Sequence, residues 1–338
     1  MAKAYLVTGG AGFIGSHLVD SLLEQRETQI VRVIDNFGSG REEHLAQHSD
    51  DSRLEVVRRD LLDLERIQSF FAGTEVVYHL AANPDARWGI ENTRLDLEQE
   101  TIVTYNVLES MRRSGCRCIL LSSSGTVYGD IGTTPAAESW GPCLPISLYG
   151  AGKVASEALI SAFCGTFGLT GMILRFGNVI GPRTTHGLVF DLIQKLAADE
   201  TPVSVLGDGR QAKPYVYVLD LVRAMRFLER VLQGMPAGAI DVFNVAPEGA
   251  TSVRFIVEAL LSELGLLATA NVCYGTSPQG WPGDAPQSRM NTAKLRRAGF
   301  CLPRSSDEAV RTALRAIVEW LQQRPEGNHA LRLPRRVR

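Results

Sequence analysis

The sequence predicts an α/β protein: a doubly wound parallel sheet in the N-terminal half and a smaller mixed α/β lobe in the C-terminal half. Three observations predict it. Short β-branched apolar runs alternate with amphipathic segments through the first half. The runs are continuously apolar, as strands covered on both faces must be. A glycine-rich turn joins the first run to the first amphipathic segment.

Taken in order, Tyr5-Leu6-Val7 is the first strand and leads into a helix over about 13–24. Val31-Arg32-Val33-Ile34 precedes a polar loop, and Leu54-Glu55-Val56-Val57 precedes a helix over 64–71. Val76-Val77-Tyr78 comes before a long helix over 97–113. Ile119-Leu120-Leu121 comes before a helix over 149–167, and Ile173-Leu174-Arg175-Phe176 closes the series. Beyond it, Gly and Pro become dense, as in Gly181-Pro182, Gly207-Asp208-Gly209 and Pro282-Gly283. Residues 1–176 are therefore expected to form the sheet domain. Residues 177–324 are expected to form mainly a ligand-binding lobe with segments returning to that sheet. Residues 325–338, with Arg332, Arg335, Arg336 and Arg338, read as a solvated basic tail.

Composition narrows the function. The 338 residues carry 35 Lys+Arg against 37 Asp+Glu, a net charge of −2, which disfavours nucleic acid or an anionic membrane as partner. Length alone suggests about two domains. No apolar run approaches the roughly 18–20 residues of a membrane span. The N-terminus enters a strand pattern at once and leaves no room for a signal peptide, so a cytoplasmic protein is expected. Six cysteines are too few for a disulfide scaffold, and Cys116-Arg117-Cys118 has no second pair or His cluster beside it. Reduced thiols and no metal are expected.

Gly9-Gly10-Ala11-Gly12-Phe13-Ile14-Gly15 follows the first strand and opens the first helix. Gly9, Gly12 and Gly15 allow a tight turn and a close backbone approach to a pyrophosphate, met by free N–H groups at the helix start, including those of Phe13 and Ile14. This is a Rossmann-type arrangement. Asp35 ends the second strand, where a carboxylate accepts from the adenosine ribose hydroxyls and repels a 2′-phosphate. NAD is favoured over NADP even with Arg41 nearby. Asn36, Ser39 and Gly40 follow in the same loop. Asp60 ends the third strand, placed to accept from the adenine amino group, with Leu61 beside it. His79-Leu80-Ala81-Ala82 ends the fourth strand, and its small residues let a cofactor pass. His79 itself reads as a hydrogen-bonded near-core histidine.

Tyr149 and Lys153 stand four apart near a helix start, hence on one face. Ser124 ends the fifth strand, where ligands meet an open α/β sheet. A phenol with a pKa of about 10 is a poor base at neutral pH, but a nearby ammonium and the positive nicotinamide favour phenolate. A phenolate accepts the proton of a sugar hydroxyl as hydride leaves the same carbon, and Ser124 orients that hydroxyl.

The stretches TGGAGFIG, HLAA, SSSGTVYG and RFGNVIGPR, with the YxxxK pair, resemble the extended short-chain dehydrogenase/reductase family, over about Leu6 to Leu321. Within it the chain is similar to NAD-dependent nucleotide-sugar epimerases and dehydratases. NPDARWGIENTRLDLEQETIVTYNVLE, GPRTTHGLVFDLI and GWPGD are most similar to the UDP-glucose 4-epimerase group. The resemblance implies Tyr149 as base, Lys153 as its electrostatic partner and nicotinamide-ribose ligand, and Ser124 as the orienting hydroxyl, assisted by Thr126. Sugar dehydratases carry an Asp-Glu pair after that hydroxyl, and UDP-glucuronate decarboxylases keep a Glu there. This chain has Gly125 and Thr126, so 4-epimerisation of a UDP-sugar through a 4-keto intermediate is expected. The alternatives are a UDP-glucuronate 4-epimerase and, more distantly, a non-catalytic NAD or nucleotide sensor.

The resemblance also implies a substrate set. Asn178 lies near the diphosphate, Gly187-Leu188 opens a helix suited to phosphate, and Val205 belongs to a short strand beside the uridine. Lys213 replaces a usual Arg, and Gln279 stands where another Arg is expected, with Arg289 as a substitute. Arg183 and Thr185 face the sugar. Arg183 or Arg87 reaching C6 would suit a carboxylated sugar. His186 shapes the loop. The helices over 97–113 and 149–167 resemble those that pair in family dimers, so a homodimer with a four-helix interface is expected.

Overall fold

The computed structural model describes residues 3–323 and 331–334. Its centre is a sheet of seven strands. Six come from the first half: β1 (Lys3–Thr8), β2 (Thr28–Asp35), β3 (Leu54–Arg58), β4 (Val76–His79), β5 (Cys118–Ser124) and β6 (Thr170–Phe176). The seventh, Ile240–Val245, comes from the second half and pairs with β6. From that edge the order runs through β6, β5, β4, β1 and β2 to β3. Every pairing is parallel, and the fold is a Rossmann-like α/β one. The order turns back between β1 and β4, so a crevice opens at the C-terminal strand ends there.

Successive strand residues face opposite sides, and both sides are apolar. Tyr5, Val7, Val31, Val33 and Tyr78 pack against the helices Phe13–Leu23 and Val218–Gln233. Leu6, Ile34, Val77, Ile119 and Ile173 pack against Val103–Ser114 and Leu148–Phe167. This two-sided burial is why the strands read as unbroken apolar runs. The helix Leu148–Phe167 starts where the Ser147 hydroxyl accepts from Gly150 N and stops at Gly168 with φ 71°.

Two expected helices differ in detail. The segment expected over 97–113 begins as a π-helical turn, Leu97–Ile102, before the α-helix Val103–Ser114. That expected over 64–71 is one α-turn, Leu64–Ile67, followed by a 3₁₀ turn, Gln68–Phe71.

The second half adds three two-stranded sheets: Asn178–Ile180 with Tyr215–Tyr217, Ala212–Lys213 with Thr251–Ser252, and Val203–Val205 with Val272–Tyr274. A separate core gathers the helices Leu188–Ala197, Val253–Glu263 and Ser306–Gln322. Leu331 and Leu333 are buried in it, which corrects the expectation of a solvated tail: two leucines there find an apolar surface to cover. Arg335, Arg336 and Arg338 lie outside the described residues. Among the described residues no helix is long and apolar enough to cross a membrane.

Candidate active site

A cavity of about 680 Å³ opens at the C-terminal ends of the central strands. Gly9, Gly12, Phe13, Ile14 and Gly15 line one end. Gly9 has φ +70°, and a Cβ there would lie 2.8 Å from Ala81 N; a Cβ on Gly15 would lie 2.2 Å from Gly9 O. No side chain fits at either position, so the loop folds flat against the end of β4. The helix Phe13–Leu23 begins without a side-chain cap, leaving its first N–H groups for an anion.

Asp35 accepts from Ala11 N at 2.9 Å and from Phe37 N at 2.8 Å, tying the glycine loop to the end of β2. Burial pushes its carboxyl above the usual range, and those two N–H groups pull it part of the way back. Asn36, Ser39, Asp60, Leu61, Leu80, Ala81 and Ala82 also line this end. Gly40 does not. It backs the Asp35 carboxylate, where a Cβ would come within 2.8 Å of Oδ1. Arg41 likewise stands outside the cavity.

Ser124, Thr126, Tyr149 and Lys153 share the middle of the cavity wall. Ser124 Oγ accepts from Thr126 N at 3.2 Å. Lys153 Nζ is buried, 2.9 Å from Ser122 O, 2.8 Å from Glu100 Oε2 and 5.4 Å from the centre of the Tyr149 ring. Burial pushes the Tyr149 phenol up; Lys153 pulls it down, Glu100 and Asp96 raise it again, and a Ser124 hydrogen bond lowers it. The net result lies above the ordinary phenol value, with Glu100 sharing the charge of Lys153. His79 sits between the Thr8 and Thr104 hydroxyls, at 2.7 and 3.0 Å, and burial pushes it down to about 3.

In the second half Asn178, Thr185, Leu188, Val205 and Lys213 line the cavity, as does His186. The helix Leu188–Ala197 begins at Gly187 without a side-chain cap. Arg183 and Arg289 do not line it. Arg183 Nη1 is held 2.9 Å from Asp20 Oδ2 on the first helix, and Arg289 Nη1 donates to Ser288 O at 2.9 Å. Each guanidinium thus finds its partner outside the cavity. Gln279 is also outside, and Lys213 is ion-paired with Asp284. Arg87 lines the cavity but is clamped by Asp85 at 2.9 Å and Asp191 at 2.8 Å.

The protein-family model described as the NAD dependent epimerase/dehydratase family matches residues 5–246. The chain belongs to that family. A UDP-glucose 4-epimerase of Mycolicibacterium smegmatis is 32% identical over 301 residues, 86% of this chain and 90% of the relative. A solved UDP-galactose 4-epimerase is 33% identical with a TM-score of 0.82, covering 94% of this chain and 99% of its own. A UDP-glucuronic acid 4-epimerase from Bacillus cereus, solved with UDP-glucuronic acid and NAD, is 27% identical with a TM-score of 0.81, covering 95% and 99%. The resemblance to extended short-chain dehydrogenase/reductase nucleotide-sugar epimerases therefore holds. The cofactor of this epimerase/dehydratase family member is NAD, and the uncapped helix start and the buried Asp35 carboxylate fit its pyrophosphate and ribose.

Several residues of the site escaped the sequence reading. Asp85, Asp191, Lys195, Gln211 and Asp284 line the cavity. Asp284 stands in GWPGD and Gln211 two residues before Lys213, so neighbouring motifs pointed at both. Lys195, which donates to Ser204 O and Oγ at 2.7 Å, occupies the last turn of a helix and reads alone as a solvated charge. Glu100 left no local signal, because nothing along the chain says that Lys153 will sit against it.

Proposed function

We propose that this chain is a UDP-sugar 4-epimerase of the UDP-glucose/UDP-galactose type, working through a transient 4-keto sugar. One observation carries the reading: Ser124, Tyr149 and Lys153 meet on one cavity wall while every carboxylate lining the cavity is engaged elsewhere or remote. Asp35 and Asp60 lie at the glycine-loop end, Asp85 and Asp191 hold Arg87, and Asp284 holds Lys213. Elimination of water needs an additional acid and base; epimerisation does not.

In this reading bound NAD would supply the hydride acceptor and donor for the sugar C4, held by the glycine loop and Asp35. Tyr149 Oη accepts the proton of the C4 hydroxyl as an ion stabilised by Lys153, and later returns it. Ser124 holds the C4 oxygen, with Thr126 behind it. The 4-keto sugar turns within the cavity so that its other face is reduced. Residues 1–176 hold the dinucleotide and the catalytic groups, and residues 177–324 hold mainly the nucleotide-sugar. Asn178, the helix start at Leu188 and Lys213 meet the diphosphate, Val205 lies beside the uridine, and Thr185 faces the sugar.

A UDP-glucuronate 4-epimerase is the second reading, raised by the arginines expected at C6. Arg183 is paired with Asp20 outside the cavity and Arg87 is doubly paired within it, which supports a neutral sugar. A nucleotide sensor has no use for all three groups of the catalytic wall. Leu97, Tyr105 and Phe167 expose 54%, 42% and 44% of their surface along the adjoining helices, which supports a homodimer. Six free cysteines suit a cytoplasmic protein.

Separate incubations with UDP-glucose and UDP-glucuronate, with products resolved by chromatography, test the reading. UDP-galactose is expected from the first and no C4 epimer from the second. Conversion of the uronate alone would overturn the neutral-sugar assignment, and conversion of neither by NAD-loaded protein would overturn the epimerase.

A further inference from the structure

Against Lys153, outside the cavity, lie two buried carboxylates that the proposed reaction leaves unused. Asp96 and Glu100 are 1% and 2% exposed, and neither lines the cavity. Glu100 Oε2 is 2.8 Å from Lys153 Nζ, whereas Glu100 Oε1 and Asp96 Oδ2 have no hydrogen-bond partner among the described residues. A buried carboxylate with an unmet oxygen is costly, and one in contact with a reactive cation alters that cation's field.

Several features of the chain build this contact. The π-helical turn Leu97–Ile102 carries Glu100, and such turns concentrate at functional sites. The Glu100 carbonyl accepts from Thr104 Oγ1 at 2.5 Å and from Ser156 Oγ at 3.0 Å, which pins the turn to the helix carrying Lys153. Gly152 allows the approach: a Cβ there would lie 2.7 Å from Glu100 Cβ and 3.0 Å from Asp96 O. Asp96 is held by Asn83 Nδ2 at 2.8 Å.

We propose that Glu100 is a positioning residue, which seats the Lys153 ammonium beside the Tyr149 ring and, by its own charge, sets how strongly that ammonium draws the proton from the phenol. The inference rests on the reading of Tyr149 as the base. The groups that face the pair are Tyr149 and Glu157 from the helix of Lys153, Asp96 from the turn before Glu100, the Asn83 backbone, the Ser122 carbonyl on β5 and the neutral His79 on β4. Burial lifts the Glu100 carboxyl to about 7, with Lys153 pulling it back. Burial also works against the Lys153 charge, but Glu100 and Tyr149 outweigh it and hold the ammonium above its ordinary value. Removing the charge of Glu100 leaves the ammonium with less competition for the phenol.

The test is an absorbance titration of the phenol in NAD-bound protein with no sugar present. The Tyr149 contribution is isolated by subtracting the Tyr149→Phe protein in each background. Glu100→Gln is expected to lower the midpoint by about one pH unit, a tenfold gain in phenolate at fixed pH. Glu100→Asp, which keeps the charge, is expected to stay near the wild-type midpoint. Gly152→Ala presses Glu100 away and is expected to shift the midpoint in the direction of Glu100→Gln, so the question stays decidable if the Gln protein does not fold. A purely structural Glu100 would change melting and leave the midpoint where it was, and that result overturns the proposal. Because no sugar is present, the titration stands or falls separately from the UDP-sugar assays.

Discussion

The Arg87 guanidinium lies 2.8 Å from Asp191 Oδ2 and joins the loop after β4 to the helix Leu188–Ala197. The same guanidinium grips Asp85. One cation thus faces two carboxylates on the cavity wall, and burial pushes the adjoining His186 below its ordinary value, so it adds no charge at neutral pH. Among the described residues, this wall offers a carboxylated sugar no unpaired arginine.

Loosening the clamp should change substrate choice. Asp191→Asn is expected to raise the ratio of kcat/KM for UDP-glucuronate over UDP-glucose about fivefold, the effect of roughly 1 kcal/mol from a partly exposed charge. Parallel assays of the two sugars give the ratio directly, and an unaltered ratio counts against Arg87 as a selector.

Tyr149→Phe removes one oxygen and keeps the ring. Turnover is expected to fall by about 10²- to 10⁴-fold, with bound NAD unchanged because Lys153 and the glycine loop remain. Chromatography of nucleotide released from the purified protein, alongside the epimerase assay, separates the two effects. Retained turnover rejects the phenol as base.

His79 makes stability depend on pH. Unfolded, its imidazole takes a proton near 6.5; folded, burial holds this off to about 3. Stability from this group is complete above pH 6.5 and is lost as pH falls toward 3, by about 1.4 kcal/mol per pH unit. His17, pushed down to about 4 mainly by burial, acts in the same direction. Urea unfolding at pH 7, 6 and 5 should show a shallower pH dependence for His79→Gln than for the wild type. Parallel slopes would exclude His79 as a source of the loss.

The exposed apolar residues on the paired helices should be covered by a second copy. Light scattering is expected to give twice the 36.9 kDa chain mass, and Phe167→Glu is expected to return the single-chain value. A wild-type mass of one chain removes the dimer.

Local rules made much of this molecule legible. Buried strands announced themselves by unbroken apolar runs, the glycine spacing marked the cofactor loop, and a four-residue interval placed Tyr149 and Lys153 on one helical face. Legibility ended at charged side chains whose partners are remote in sequence. Arg183 was expected at the sugar and pairs with Asp20, and nothing along the chain showed that Lys213, which does line the cavity, would pair with Asp284. Gly40 was expected in the cofactor wall and instead leaves room for Asp35.

The amino-acid sequence alone determined the Rossmann-like sheet, the glycine loop and the shared helical face of Tyr149 and Lys153, because each rests on hydrogen-bond periodicity and steric limits acting over a few residues. Only the tertiary structure decided which cations remain unpaired, that Leu331 and Leu333 are buried, and that Glu100 sits beneath the helix of Lys153. Those outcomes depend on which distant groups share a low-dielectric interior, where a charge takes whatever counter-charge the packing brings within reach.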